Sequence, residues 1–294
     1  MLSWKLWRAI CAVPQHHPVF EVVRIPYMPR RRWTRVLILA ALMICPTAYS
    51  VALFWPSVYP VLFAVHALPT LYSIILAGIT VYLLTIATGI STRVAGMRES
   101  GLYHLLATAP DGGFVAVWNV SMAGLHRNSA FRWFRFGLNL VAFTMIVGLA
   151  AEILLPLVAM ARSGTAAFYP VLLDVAAGWL LAVTFYLDTT QSLILASLLG
   201  MVAPFYTVSV PGAALWSAGV FLLAQTGVYF TALVGGSMVF RALEPIVLPV
   251  KIGALAWAIV ALLAARHFAN RYLWHALQRH TATTPDDLHR WADG

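Results

Sequence analysis

Charged side chains are what this 294-residue chain has least of. Asp, Glu, Lys and Arg together make up 10% of it, against 61% hydrophobic residues. Soluble domains carry about a quarter charged residues, so the composition excludes a soluble globular fold, and the mean hydropathy of +0.82 agrees. Lysine is nearly absent: Lys5 and Lys251 are the only two, and neither completes a G-x-x-x-x-G-K-[ST] sequence, so the chain has no P-loop of its own. Cysteine is equally sparse. Cys11 and Cys45 provide neither a disulfide framework nor a metal cluster. The H-E-x-x-H, C-x-x-C and G-x-S-x-G patterns are also missing, which removes the common zinc-protease, redox and serine-hydrolase signatures. No enzyme, resident cofactor or metal is expected. The N-terminus lacks an apolar stretch followed by a small-residue cleavage site, so no cleavable leader is expected.

What is present is a series of long apolar runs, the pattern of an all-α, multi-pass membrane protein. Residues 1–34 read as a cytoplasmic or interfacial segment, in which Trp4, Leu6, Trp7 and Ile10 with Lys5 and Arg8 suggest a short helix on the lipid headgroups. The transmembrane domain spans 35–268. A first span covers about Val36 to Phe54 and is followed by an aromatic turn, Trp55 to Pro60. A second ends near Ile90, with Pro69 dividing off a short pre-helix. A third runs from Phe136 to Met160, and Ala213–Phe240 and Ile246–Phe268 are two more. Residues 269–294 read as a cytoplasmic tail in which Thr284 to Asp287 starts a new helix. Between Phe168 and Tyr206 the reading stays open. The stretch is either two crossings with a turn at Asp188 to Gln191, or one crossing preceded by a partly inserted segment. One crossing gives six spans and puts both termini and 16 of the 19 basic residues inside; two give seven spans and a 14 to 5 split. The six-span topology obeys the positive-inside bias better. The excess of basic residues is therefore assigned to membrane topology and not to nucleic acid.

The longest polar interruption, Ser91 to Arg135, is the feature around which the other segments are arranged. It carries Arg93, Arg98, Arg127, Arg132 and Arg135. Helical spacing places Leu102, Leu105 and Leu106 on one face of an amphipathic segment over Met97–Ala107, stopped by Thr108 to Asp111. A second amphipathic segment, Phe114–Leu125, follows through Phe114, Trp118, Met122 and Leu125. The string MRESGLYHLLATAP within this region resembles the cytoplasmic coupling-helix region of the permease subunits of type-2 ATP-binding-cassette (ABC) exporters. Arg98, Glu99, Gly101, Leu105, Leu106, Thr108 and Pro110 match the family's pattern, whereas Leu102 replaces a usual Thr or Ser and His104 a usual acid.

The resemblance covers about fifteen residues and implies a six-span permease in the plasma (inner) membrane. It also implies a separate ATPase subunit, holding ATP and Mg, docked through 91–135, and a second permease copy or a similar permease as partner alongside membrane lipid. Glu99 would meet a basic groove on the ATPase, and the N-terminal segment would be an elbow along the inner surface. The alternative is a non-transporting scaffold or assembly subunit of a larger membrane complex, docking a different partner through the same loop.

Ionisable residues in apolar runs are the other candidates for chemistry, because a charge at mid-bilayer costs roughly 2.5–3.5 kcal/mol and usually faces a cavity or partner. Asp188 with Gln191 is one such pair; Glu152 and Asp174 flank the expected outer loop between Arg162 and Thr165. Glu244 reads as loop. A bis-histidine haem is not expected, since only His66 lies well inside an apolar run and His267 lies at the end of another.

Overall fold

The computed structural model describes residues 2–12, 67–108, 112–127, 129–140, 142–143, 168–242 and 248–281, all but a few of them helical. The helices are α1 (Leu2–Cys11), α2 (Ala67–Glu99), α3 (Leu102–Ala107), α4 (Gly112–His126), α5 (129–140), α6 (Phe168–Tyr206), α7 (Val210–Ala242) and α8 (Leu248–Thr281). No strand occurs among the described residues. Three stretches are long and apolar enough to cross a membrane: Leu76–Glu99 in α2, Val183–Tyr206 in α6 and Val210–Thr231 in α7. The all-helical class holds, and the chain reads as a multi-pass membrane protein. The expected first span, its aromatic turn, most of the third span and the last residues of the tail lie outside the described residues.

Two compact units divide the chain. One comprises residues 1–29, 80–129 and 189–294, the other 30–79 and 130–188. In the second unit α5 buries Phe131, Phe134 and Leu138 and leaves Trp133 and Phe136 exposed in an edge-to-face pair 5.9 Å apart. Arg135 lies over the Phe131 ring at 6.0 Å.

The first unit is where the helices depart from the sequence reading. The second span does not end near Ile90. α2 continues to Glu99, because Ser91 to Arg98 contain no proline and the threonine hydroxyls along this part of the helix bond back to its own carbonyls. Thr88 donates to the Leu84 carbonyl at 2.9 Å and Thr92 to that of Gly89 at 3.2 Å. Pro69 sits in the first turn of α2, where its missing N–H is not needed, and most of the pre-helix expected before it lies outside the described residues. α6 is one uninterrupted helix of 39 residues, about 58 Å long at 1.5 Å per residue. Asp188 to Gln191 is therefore helical, and neither the turn of the two-crossing reading nor a separate inserted segment is present. Pro204 lies in the last turn of α6, where it removes one i→i−4 hydrogen bond without ending the helix.

α4 is not an amphipathic surface helix. All its residues from Gly113 to Leu125 except Val115 are buried, Asn119 and Ser121 among them. Phe114 and Trp118 pack on Trp274 of α8 with centroids 5.4 and 6.3 Å apart, and Ser121 satisfies its hydroxyl on the Val117 carbonyl at 2.7 Å. α8 runs on without a break from the expected last span to Thr281, and Asn270, Leu273, Trp274 and Leu277 are buried. The first part of the expected tail is thus helical and packed against the rest of its unit.

Small residues set the approach of α2 and α6. A Cβ on Gly200 would lie 2.7 Å from the Ala87 carbonyl oxygen and 2.8 Å from the Ile90 Cβ, so only glycine admits this contact. α1 forms as the spacing predicts but does not rest its apolar face on lipid. Leu6, Trp7 and Ile10 are buried in the protein, Ser3 shares a hydrogen bond with His267 at 2.6 Å, and the His126 Nε2 meets the Ile10 carbonyl at 2.9 Å. Trp4, Lys5 and Arg8 remain on the outside.

Candidate functional site

α3 is a separate short helix because of one glycine. Gly101 sits at φ +75°, a left-handed conformation that costs most other residues dearly. It ends α2 and starts α3. The Gly101 N–H bonds back to the Arg98 carbonyl at 3.1 Å, and its own carbonyl accepts the His104 N–H at 3.1 Å. The continuous amphipathic segment expected over Met97–Ala107 is accordingly two helices with a break at Ser100–Gly101. Thr108 closes α3, its hydroxyl on the Leu105 carbonyl at 2.8 Å and its N–H on that of His104 at 3.3 Å.

The inner side of α3 is held by Tyr103. Its hydroxyl lies 2.9 Å from where a Cβ of Gly113 would be, so α3 closes on the start of α4 across a residue without a side chain. Its ring meets Phe205 of α6 edge-on at 5.8 Å. Burial pushes the Tyr103 hydroxyl above its ordinary pKa, against a smaller opposite pull from the Arg98 charge. Phe205 is the hub of this end. Arg98 lies over its ring at 5.0 Å, and His280 of α8 stacks on it at 5.3 Å and 10°. His280 also meets Tyr206 edge-on at 5.0 Å, and Tyr206 stacks on Trp216 of α7 at 5.4 Å. A cavity of about 320 Å³ opens here, lined by Arg98, Glu99, His104, Phe205, Tyr206 and Val208 among others.

The outer side of α3 has no such support. Leu105 is 72% exposed and Leu102 44%, while Leu106 is half-buried. Val208, in the turn after α6, is 99% exposed and lines the cavity. The structure thus brings Arg98, Glu99, Gly101, Leu105, Leu106 and Thr108 together, and Pro110 lies outside the described residues. Glu99 also has a task inside the chain. Its Oε1 accepts the Val210 N–H at 2.8 Å, satisfying the first turn of α7 and placing a negative charge at that helix N-terminus. Arg98 is likewise engaged inside the chain, on Phe205.

The intramembrane candidates divide. Glu152 lies outside the described residues, and Asp174 is placed in α6 by its backbone alone. Asp188 is buried in α6, and Gln191 is half-buried one turn further on. Sequence reasoning weighed acids and passed over three other residues. Arg266 of α8 is 2% exposed; it donates to the Ser192 hydroxyl and lies over the Tyr229 ring of α7 at 5.5 Å. Asn270, also buried, donates to the Gln191 carbonyl at 3.3 Å. Gln225 of α7 is 1% exposed. The usable signal was a polar side chain inside an apolar run, which Gln225 in LLAQTGVYF and Arg266 in ALLAARHF both show. Arg266 was hidden by being counted with the basic residues of the tail. Among the described residues no three His, Cys, Asp or Glu side chains lie close enough to hold a metal ion.

The chain matches no protein-family model, no curated protein and no solved structure.

Proposed function

We propose that this chain is the membrane-spanning permease half of an ATP-driven exporter of the ABC class. It docks a separate ATPase subunit through α3 and pairs with a second copy or a similar permease in the inner membrane. Six spans with both termini inside are part of this reading, and ATP and Mg belong to the partner subunit. One observation carries it: a short helix at the polar end of two membrane-length helices that is rigidly held on its inner side and bare on its outer side. Tyr103, Gly113 and Phe205 fix α3, while Leu102 and Leu105 stay uncovered. A helix that merely filled a loop would turn its leucines inward, since each buried leucine is worth about 1.5–3 kcal/mol. The MRESGLYHLLATAP string falls on this element. Force applied to α3 would pass through Tyr103 to Phe205 on α6, and through the Glu99 cap to α7. Both helices are membrane-length.

Co-purification tests the reading. Wild-type chain extracted in mild detergent retains an ATPase subunit that contains a P-loop. Leu105→Ala weakens that retention by about tenfold or more, at 1.4 kcal/mol per tenfold, with unchanged insertion and expression. Leu105 is the clean probe because it supports nothing inside the chain; Leu106→Ala would also disturb packing. Recovery of a membrane complex without an ATPase would replace the exporter reading with the scaffold one.

A further inference from the structure

A second site lies away from α3, in the bundle of α6, α7 and α8, where three carboxamides converge. Arg266 fixes the register of the three helices. One guanidinium reaches both the Ser192 hydroxyl on α6 and the Tyr229 ring on α7. α7 and α8 are consecutive and packed together, five residues apart in sequence, and so run antiparallel. One turn back from Tyr229 is Gln225, and one turn forward from Arg266 is Asn270; both therefore sit at the same level. Asn270 donates to the backbone carbonyl of Gln191 at 3.3 Å, which brings the third amide to that level. Gln191 and Gln225 belong to membrane-length segments.

Each amide has an enclosed polar atom that no group among the described residues satisfies. These are Oε1 of Gln191, Oδ1 of Asn270, and both Nε2 and Oε1 of Gln225. Amides that only glue helices together would bond to one another across the interface; here Gln225 uses neither its donor nor its acceptor. The hydroxyls of Ser197 on α6 and Ser91 on α2 are enclosed and unsatisfied in the same way. Ser197 lies six residues from Gln191 toward the Phe205 end, about 9 Å along the helix. Leaving one such group dry costs as much as a lost hydrogen bond, and several are gathered here.

We propose that Gln191, Gln225 and Asn270 form a binding site for an uncharged hydrogen-bonding ligand, held by water in the resting protein. Gln225 is its central residue. The amides supply both donors and acceptors, so the site selects carboxamide, hydroxyl or water, and the Arg266 guanidinium one turn away is already engaged on Ser192 and Tyr229. This inference rests on the chain spanning a membrane and not on an ATPase partner, so loss of the co-purification above would leave it standing.

Thiol accessibility tests it. In a Cys11→Ser, Cys45→Ser background in sealed and inverted vesicles, Gln225→Cys is treated with a charged, membrane-impermeant methanethiosulfonate. Leu223→Cys is the control, because Leu223 is 74% exposed on the outer side of the same helix, where lipid would cover it. Only a hydrated thiol forms the reactive thiolate, so Gln225→Cys reacts about tenfold faster or more than Leu223→Cys. Equal rates, or a faster Leu223→Cys, overturn the proposal. Gln225→Leu gives a second reading that does not depend on labelling. If water completes the site, the substitution strands Asn270 and Gln191 and lowers Tm. If Gln225 is dry, removing an unsatisfied amide raises Tm, and the proposal falls.

Discussion

Gly200, Gly101 and Glu99 show how much of this molecule rests on single side chains or their absence. Gly200 admits the Ala87 carbonyl and Ile90 at distances no Cβ tolerates. Gly200→Ala should therefore cost about 1–3 kcal/mol through overpacking, read as a lower Tm in detergent. Glu99 was legible as a charge at the right place but not as a cap, because its acceptor role depends on Val210, 111 residues away in the chain. Glu99→Gln should keep most of the Val210 contact, and Glu99→Ala should lose about 1 kcal/mol of stability. Glu99→Lys should cost more than Glu99→Ala, since it places a positive charge at the α7 N-terminus. Thermal melts of the three variants check the order. If all three are equal to wild type, the cap carries no weight. Arg266 illustrates the opposite failure: its type and position inside the expected Ile246–Phe268 span were visible, but it was counted with the basic residues of the tail.

Elements were legible where hydropathy and turn chemistry agreed, and misread where only one of them spoke. α1 and α7 follow the sequence reading because apolar periodicity and the flanking residues point the same way. α6 does not. Asp188 to Gln191 interrupt the hydropathy without any residue that breaks a helix, and the backbone ignores the interruption. α4 was misread for a related reason. The arginines around it made the whole interval from Ser91 to Arg135 look aqueous, although GGFVAVWNVSMAGL contains no charge and is buried nearly throughout. The break inside Met97–Ala107 was signalled by Gly101, but periodicity alone ran through it. Gly113 ties α3 to α4, and a side chain there would meet the Tyr103 hydroxyl. Gly113→Val should displace α3 without unfolding the bundle. The expected readout is faster protease cleavage near residues 100–108 with little change in Tm; cleavage unchanged from wild type would show that α3 is not held there.

At the scale of the molecule the account concerns topology and assembly. The uninterrupted α6 supports one passage where the sequence left two arrangements open, and under the proposed six-span topology the positive-inside count puts both termini on the same side. A reporter fused after Gly294 should read cytoplasmic, as should one fused at the N-terminus; opposite readings would require an odd number of spans. The substrate was not legible at any scale, since apolar composition specifies burial in lipid and not what is carried. Only the exposed face behind the proposed docking role was legible: the leucines that α3 leaves bare had been named from their spacing, while the residues that hold α3 in place, Tyr103, Gly113 and Phe205, come from three separated segments. The most direct test of that role is a photo-reactive amino acid at position 105, irradiated in native membranes. The account predicts one main protein adduct, containing a P-loop ATPase, and none from the same group at position 223. An adduct at 105 with a protein lacking a P-loop, or with lipid alone, would contradict it.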